Sequence, residues 1–192
     1  MMTDSIVAGL PSAYEGIKAE TERIHFSMAS DLQTGCLLKT LAASKKGGTF
    51  LELGTGSGLA TSWIMAGMDE TSRLVTVDNN ALLVDIARKH LPSDRVEYIV
   101  ADAYEWIPAN IHRRFDLIFA DAMPGKYDLF EETTGLLKSG GFYIIDDMLP
   151  QPNWPAGHEN KVEEFVVRLE RDPRFNLTKL AWSTGLIIAV RK

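Results

Sequence analysis

The stretch LELGTGSGLA, residues 51 to 60, closes a short apolar run and packs Gly54, Gly56 and Gly58 into five positions. Glycines at that density let another group come very close to the backbone, at the point where a strand would turn into a helix. What that group is decides much of what the chain can do.

Working outward from this loop, strand-like and helix-like segments alternate. TFLEL (49–53), RLVTVD (73–78), VEYIVAD (96–102), FDLIFAD (115–121) and GGFYIIDD (140–147) read as strands. GLATSWIMAG (58–67), ALLVDIARKHL (81–91), KYDLFEETTGLL (126–137) and KVEEFVVRLERD (161–172) read as helices, and AYEWIP as a short turn or helix. NLTKLAW and LIIAV are joined so tightly around Ser183-Thr184-Gly185 that they must form an antiparallel hairpin. The alternation predicts parallel pairing through right-handed crossovers, with helices on both faces of one sheet. The expected fold is therefore a doubly wound α/β sheet of seven strands, mostly parallel with an antiparallel C-terminal hairpin, and its ligand belongs at the strands' carboxyl ends. LPQPNWPAGHEN (149–160) is expected to be a loop.

The bulk composition narrows the partners. The 192 residues carry 20 Lys and Arg against 26 Asp and Glu, a net charge of -6, and no basic block, so a large nucleic-acid footprint has little electrostatic support. Cys36 stands alone, which excludes an internal disulfide and fits a reducing, cytoplasmic setting. No window reaches bilayer-spanning length, so no membrane partner is expected. IVAGL, residues 6 to 10, offers an apolar patch through which two copies could pair as a homodimer.

The glycine spacing then tests the cofactor. A dinucleotide fingerprint needs small residues at its first, third and sixth positions. Counted from Gly54 the sixth is Leu59, and counted from Gly56 it is Thr61, so neither register fits. A phosphate-cradling P-loop fails too, because no Gly-Lys-Ser/Thr follows. An acidic residue does precede the loop: Glu52 is suited to repel phosphate and attract an amino or sulfonium group. The second strand ends in Asp78, followed by Asn79, where a carboxylate can accept from both hydroxyls of a ribose. Asp102 and Ala103, after the third strand, are placed to meet an adenine amino group, although Asp102 would also serve as a helix cap.

In these ordered motifs the chain resembles the class I S-adenosylmethionine-dependent methyltransferases, over roughly residues 25 to 190. LELGTGSG is similar to the family's first motif, VTVD to its second, VADAYEW to its adenine-contacting segment, FDLIFADA to its fourth strand and LLKSGGFYIIDD to its fifth. The resemblance implies a Rossmann-like fold in a single methyltransferase domain, residues 1–192, with an N-terminal helical cap (1–45) and a core (46–192). It implies S-adenosylmethionine as cofactor, held by Glu52, Gly54, Gly56, Gly58, Asp78, Asn79, Asp102 and Ala103. Within that family the nearer likeness is to the catechol and caffeoyl-CoA type of O-methyltransferase. There a stretch like FSMASDLQTGCLLKTLA (26–42) covers the cofactor, which brings Met28 near it, and the fourth strand ends in a metal-binding Asp, here Asp121, beside the cofactor. The fifth strand of those relatives ends in Asp-Asn, whereas here it reads Asp146-Asp147, so Asp121, Asp146 and Asp147 together suggest a Mg²⁺ site. Asp146 and Asp147 are adjacent and would diverge in a continued strand, so one ion can take both only if the chain turns there.

One position departs from the pattern. Three residues after the metal-binding Asp those relatives carry a Lys that acts as general base, and this chain has Pro124 there, with Tyr127 in register and Lys126 displaced by two residues across Pro-Gly. Unless the loop is rebuilt, Lys126 should aim elsewhere.

The implied reaction is O-methylation of a small hydroxylated acceptor, the hydroxyl activated by a divalent cation or losing its proton to Asp121 or His158. Three rival readings are a nicotinamide-dependent oxidoreductase, a binding module without turnover, and a tRNA nucleoside O-methyltransferase using a basic track of Arg113, Arg114 and Lys126. Trp154 would either wall an aromatic acceptor or anchor its loop.

Overall fold

A computed structural model describes residue 7 and residues 9 to 192, so the IVAGL stretch lies partly outside the described residues. Two helices, α1 (Tyr14–Arg23) and α2 (Leu32–Ala43), lead into β1 (Thr49–Leu53), α3 (Leu59–Gly67), β2 (Arg73–Asp78), α4 (Ala81–His90) and β3 (Val96–Val100). The chain continues through α5 (Ala103–Ala109), β4 (Phe115–Ala120), α6 (Phe130–Gly135), β5 (Leu137–Ile145), α7 (His158–Glu170), β6 (Phe175–Leu180) and β7 (Leu186–Arg191). The strands form one sheet in the order β3-β2-β1-β4-β5-β7-β6. All pairs are parallel except β5 with β7 and β6 with β7. This is the doubly wound sheet with a terminal hairpin that the alternation of segments predicts. Strand order reverses between β1 and β4, and the crevice beyond their carboxyl ends is where such sheets bind ligands.

The period of two along β1 distributes its side chains. Phe50 faces a layer with Leu38, Ala42, Ala60 and Ile64 of α2 and α3, while Leu51 and Leu53 join Trp106, Ile107, Phe130, Phe165 and Leu169 of α5, α6 and α7 on the other side. Glu52 shares the parity of Phe50 and so points beneath α3. Close packing of α2 on α3 uses small residues: a Cβ at Gly35 would lie 2.2 Å from the Trp63 ring, and one at Gly67 would lie 2.2 Å from the Lys39 carbonyl.

Three elements differ most from those read in the sequence. The expected helix 126–137 shrinks to α6, because residues 123–128 fold into a turn in which Gly125 N–H donates to the Asp128 carbonyl (2.8 Å) and Lys126 N–H to that of Met123 (3.3 Å). β5 starts at Leu137, opposite Phe115, and passes an irregularity around Gly140 before Phe142 resumes pairing. α7 begins at His158, three residues before the run 161–172, since Gly157 takes the left-handed conformation at its N-cap. The acidic ends of the strand motifs also leave the sheet early: Asp102, Asp121, Asp146 and Asp147 all lie just past the last paired residue. No described helix is long and apolar enough to cross a membrane.

Candidate active site

A cleft of about 910 Å³ opens over the carboxyl ends of β1 to β5, at the upper end of the roughly 300–1,000 Å³ usual for small-molecule sites. Its floor is the glycine loop. Gly54, at φ +102°, could not carry a side chain, because a Cβ would lie 2.6 Å from the Asp121 carbonyl; a Cβ on Gly58 would meet Ala87 of α4 at 2.7 Å. Gly56 lies under Phe26, whose ring a Cβ would approach at 3.2 Å. Two of the close approaches that the glycines permit are thus made by neighbouring strands and helices, which keeps the loop low and leaves Gly54 and Gly56 lining the cleft.

Asp78 holds the loop in shape. Its Oδ2 accepts from Gly56 N–H and its Oδ1 from Asn80 N–H, both at 2.9 Å, and Asn80 in turn caps α4 through Leu82 and Leu83 N–H. Each carboxylate oxygen keeps a second lone pair, and Asp78 lines the cleft beside Asn79. Asp102 caps α5, accepting from Tyr104 N–H at 2.8 Å, and also lines the cleft with Ala103. Met28, 64% exposed, and its neighbours from Phe26 to Ser30 form the opposite wall, tied to the loop below by a 2.7 Å bond from Thr21 Oγ1 to Ser57 Oγ.

Glu52 does not line the cleft. It is fully buried, its Oε2 accepting from Thr61 and Thr76 hydroxyls, both at 2.5 Å, while Oε1 has no partner. Burial, against the pull of those two hydrogen bonds, raises its carboxyl to a pKa of about 8. The expectation of a carboxylate facing an amino or sulfonium group is corrected by strand parity: Glu52 braces β1, β2 and α3 from beneath. Gly58 likewise serves the α3–α4 contact and is not among the residues lining the main cleft.

The acid-rich end is built around a lysine. The turn at 123–128 brings Lys126, 4% exposed, back under the carboxylates. Its Nζ donates to the Asp146 carbonyl at 2.9 Å and stands 3.5 Å from Asp121 Oδ1 and 3.9 Å from Asp147 Oδ2. The expectation that Lys126 would aim elsewhere is thereby overturned: Gly125, at φ +93°, rebuilds the loop. Asp147 takes a left-handed φ of 59°, so the chain does turn there and both Asp146 and Asp147 face the cleft. Asp121 Oδ2 accepts from Ser30 Oγ at 3.3 Å, and burial raises its carboxyl well above the ordinary range despite Lys126. Burial also raises Asp146 to about 6, opposed by a short hydrogen bond from Thr184.

These residues do not suit the divalent cation that the resemblance implies. Mg²⁺ requires near-octahedral oxygens at about 2.1 Å. Here an ammonium faces the Asp121 and Asp147 carboxylates and is bonded to the Asp146 carbonyl, and Asp146 Oδ1 is already taken by Thr184 and by Asp147 N–H at 2.8 Å. Among the described residues no group of three His, Cys, Asp or Glu side chains is arranged to hold a metal.

His158 is not brought to the cleft. As first residue of α7 it packs edge-on against Trp154 (4.7 Å between ring centroids) and Tyr127 (5.2 Å), so Trp154 anchors its loop in this way. His90 pairs with Glu20, its Nε2 2.7 Å from the carboxylate. The basic track does not form either, since Lys126 is buried and Arg113 is paired with Glu97 at 2.7 Å. Lys126, Ser30 and Thr184 are site residues that sequence reasoning did not assign, and no spacing rule would have found the last two, which arrive from distant segments.

Residues 51–148 match the family model described as a methyltransferase domain. A probable O-methyltransferase of Mycobacterium tuberculosis is 31% identical over 168 residues, covering 82% of this chain and 75% of that protein. A catechol O-methyltransferase of the same organism is 29% identical over 136 residues, 68% of this chain and 60% of its own length. Among solved structures, the O-methyltransferase from Bacillus cereus in complex with SAH superposes with a TM-score of 0.83 at 23% identity, covering 98% and 94% of the two chains.

Proposed function

The chain belongs to the methyltransferase domain family, and from that premise we propose how an S-adenosylmethionine-dependent O-methyltransferase uses this cleft. The acceptor is a small hydroxylated molecule, which the cleft's volume accommodates together with a nucleoside cofactor. The observation that carries the reading is the order of groups along the cleft: the glycine loop with Asp78, then Asp102, on one side of the switch point, and Asp121 with Asp147 on the other.

When bound, S-adenosylmethionine would supply an electrophilic methyl group, passed in line to the acceptor's hydroxyl oxygen as the carbon–sulfur bond breaks and S-adenosylhomocysteine leaves. Asp78 would hold the ribose hydroxyls through its free lone pairs, and Asp102 with Ala103 would hold the adenine. Gly54 and Gly56 keep the floor low enough for the amino-acid tail. Phe26 and Met28 wall the cleft on the side opposite the glycine loop. Asp121 takes the acceptor's hydroxyl proton on a carboxylate oxygen, and a carboxylate whose pKa burial has raised is a stronger base than an exposed one. His158 has no part in this reading. The lone thiol of Cys36 and the absence of a basic track support a cytoplasmic enzyme acting on small molecules.

Calorimetric titration separates this reading from the nicotinamide alternative. S-adenosylhomocysteine should bind and NAD should not, and label from methyl-tritiated S-adenosylmethionine should pass to a panel of phenols and catechols. Binding of NAD in preference to S-adenosylhomocysteine would refute it.

A further inference from the structure

We propose that Lys126 is a built-in cation that takes the place of the divalent metal, so that this chain positions its acceptor-side carboxylates without one. The inference rests on the methyltransferase reading above and deepens it.

Three independent features make this a built site. The first is the path of the chain: Pro124, Gly125 and Lys126 form a turn closed by the 2.8 Å bond from Gly125 N–H to the Asp128 carbonyl, and Gly125 packs so tightly that a Cβ would lie 2.6 Å from Leu53 Cδ1. The lysine is therefore held by backbone, where a surface side chain would wander. The second is the placement of Nζ, 2.9 Å from the Asp146 carbonyl and facing Asp121 and Asp147 at 3.5 and 3.9 Å, with the side chain 5% exposed. The third is the state of the carboxylates themselves. Asp146 Oδ1 is committed to Thr184 and to Asp147 N–H, and Asp121 Oδ2 accepts from Ser30, so one oxygen of each of these two carboxylates is already oriented by a protein donor.

A doubly charged ion drawn to the same oxygens would stand against a buried ammonium whose side chain is only 5% exposed. Repulsion at that range in a half-dry site works against metal entry, while the ammonium itself supplies the charge that keeps Asp121 and Asp147 from repelling one another. Lys126 does not line the cleft, so it acts through those two carboxylates as a positioning residue.

The experiment uses the full chain and does not need the acceptor to be known. Mn²⁺ is titrated into the wild type, with free and bound ion read by electron paramagnetic resonance, and S-adenosylhomocysteine binding is measured in parallel by calorimetry. The wild type should leave Mn²⁺ free up to millimolar concentrations while binding the nucleoside. Any methyl transfer detected should survive chelation within about twofold, where a cation-assisted enzyme loses nearly all of it. Lys126→Ala, which removes the ammonium and exposes the three carboxylates, should gain Mn²⁺ binding, and Lys126→Arg, which keeps the charge, should not. Micromolar Mn²⁺ binding by the wild type, or activity abolished by chelation and restored by Mg²⁺, overturns the proposal. If Lys126→Ala does not fold, the wild-type titration and chelation decide alone. Failure to bind S-adenosylhomocysteine would instead count against the methyltransferase reading, whichever way the metal result falls.

Discussion

Replacing Glu52 by Gln tests how the glycine loop is supported. The carboxyl is buried with one oxygen unpartnered, and its pKa moves from 4.5 to about 8 on folding. The folded state therefore holds a proton that the unfolded chain releases, and stability from this group is present in full below pH 4.5 and falls as pH rises toward 8. At about 1.4 kcal/mol per pH unit, the decline amounts to about 3 kcal/mol by pH 7. Gln has no proton to lose, so Glu52→Gln should remove that slope. It should not simply add the whole amount at neutral pH, because the new amide NH₂ lands where Oε1 has no partner, and an unsatisfied buried donor costs about 1–3 kcal/mol. Urea unfolding at a series of pH values from mildly acidic to mildly alkaline is the measurement. Across that window the wild type should lose about 3 kcal/mol more than the variant. Equal slopes for the two proteins would refute the assignment of a buried neutral carboxyl. Because Glu52 lies off the cleft, S-adenosylhomocysteine affinity in the variant should stay within about threefold, whereas a loss of about a hundredfold, 2.7 kcal/mol, would make it a ligand after all.

Other substitutions separate the remaining roles. Asp78→Ala removes both the brace on Gly56 and Asn80 and the proposed ribose acceptor, and calorimetry should show S-adenosylhomocysteine binding weakened by about tenfold or more. Asp121→Asn should lower turnover by about 10²–10⁴ while leaving nucleoside affinity within a few-fold, as steady-state kinetics and calorimetry on the same sample would reveal. Gly35→Ala drives a methyl group into the Trp63 ring at 2.2 Å and should destabilise the fold by about 1–3 kcal/mol in thermal or chemical unfolding, with no effect on the cleft's chemistry.

Much of the architecture was legible in the order of segments. Alternating strand and helix patterns imply a parallel sheet wound on both faces, and a three-residue joint leaves the last two strands no option but antiparallel pairing, because these are constraints of chain connectivity. The placement of Asp78 and Asp102 beside the cleft follows from the same logic, since residues just past parallel strands must gather at one edge. The parity of β1 was also available: two residues from Phe50, Glu52 had to share its face, and attention to that period would have buried it beforehand.

What the linear order could not decide is the acid-rich end. Whether Lys126 turns outward or back depends on the left-handed backbone at Gly125 and on the space left by Leu53, both properties of the packed turn. Whether Asp146 and Asp147 diverge or face together depends on a single φ angle at Asp147. His158 looked like a loop residue near the site, yet α7 starts at it and its ring packs between Trp154 and Tyr127, away from the cleft. Local sequence limits which conformations a backbone can adopt, but the choice among them at a tight turn is made by contacts with segments far away in the chain, and those exist only once the sheet has formed.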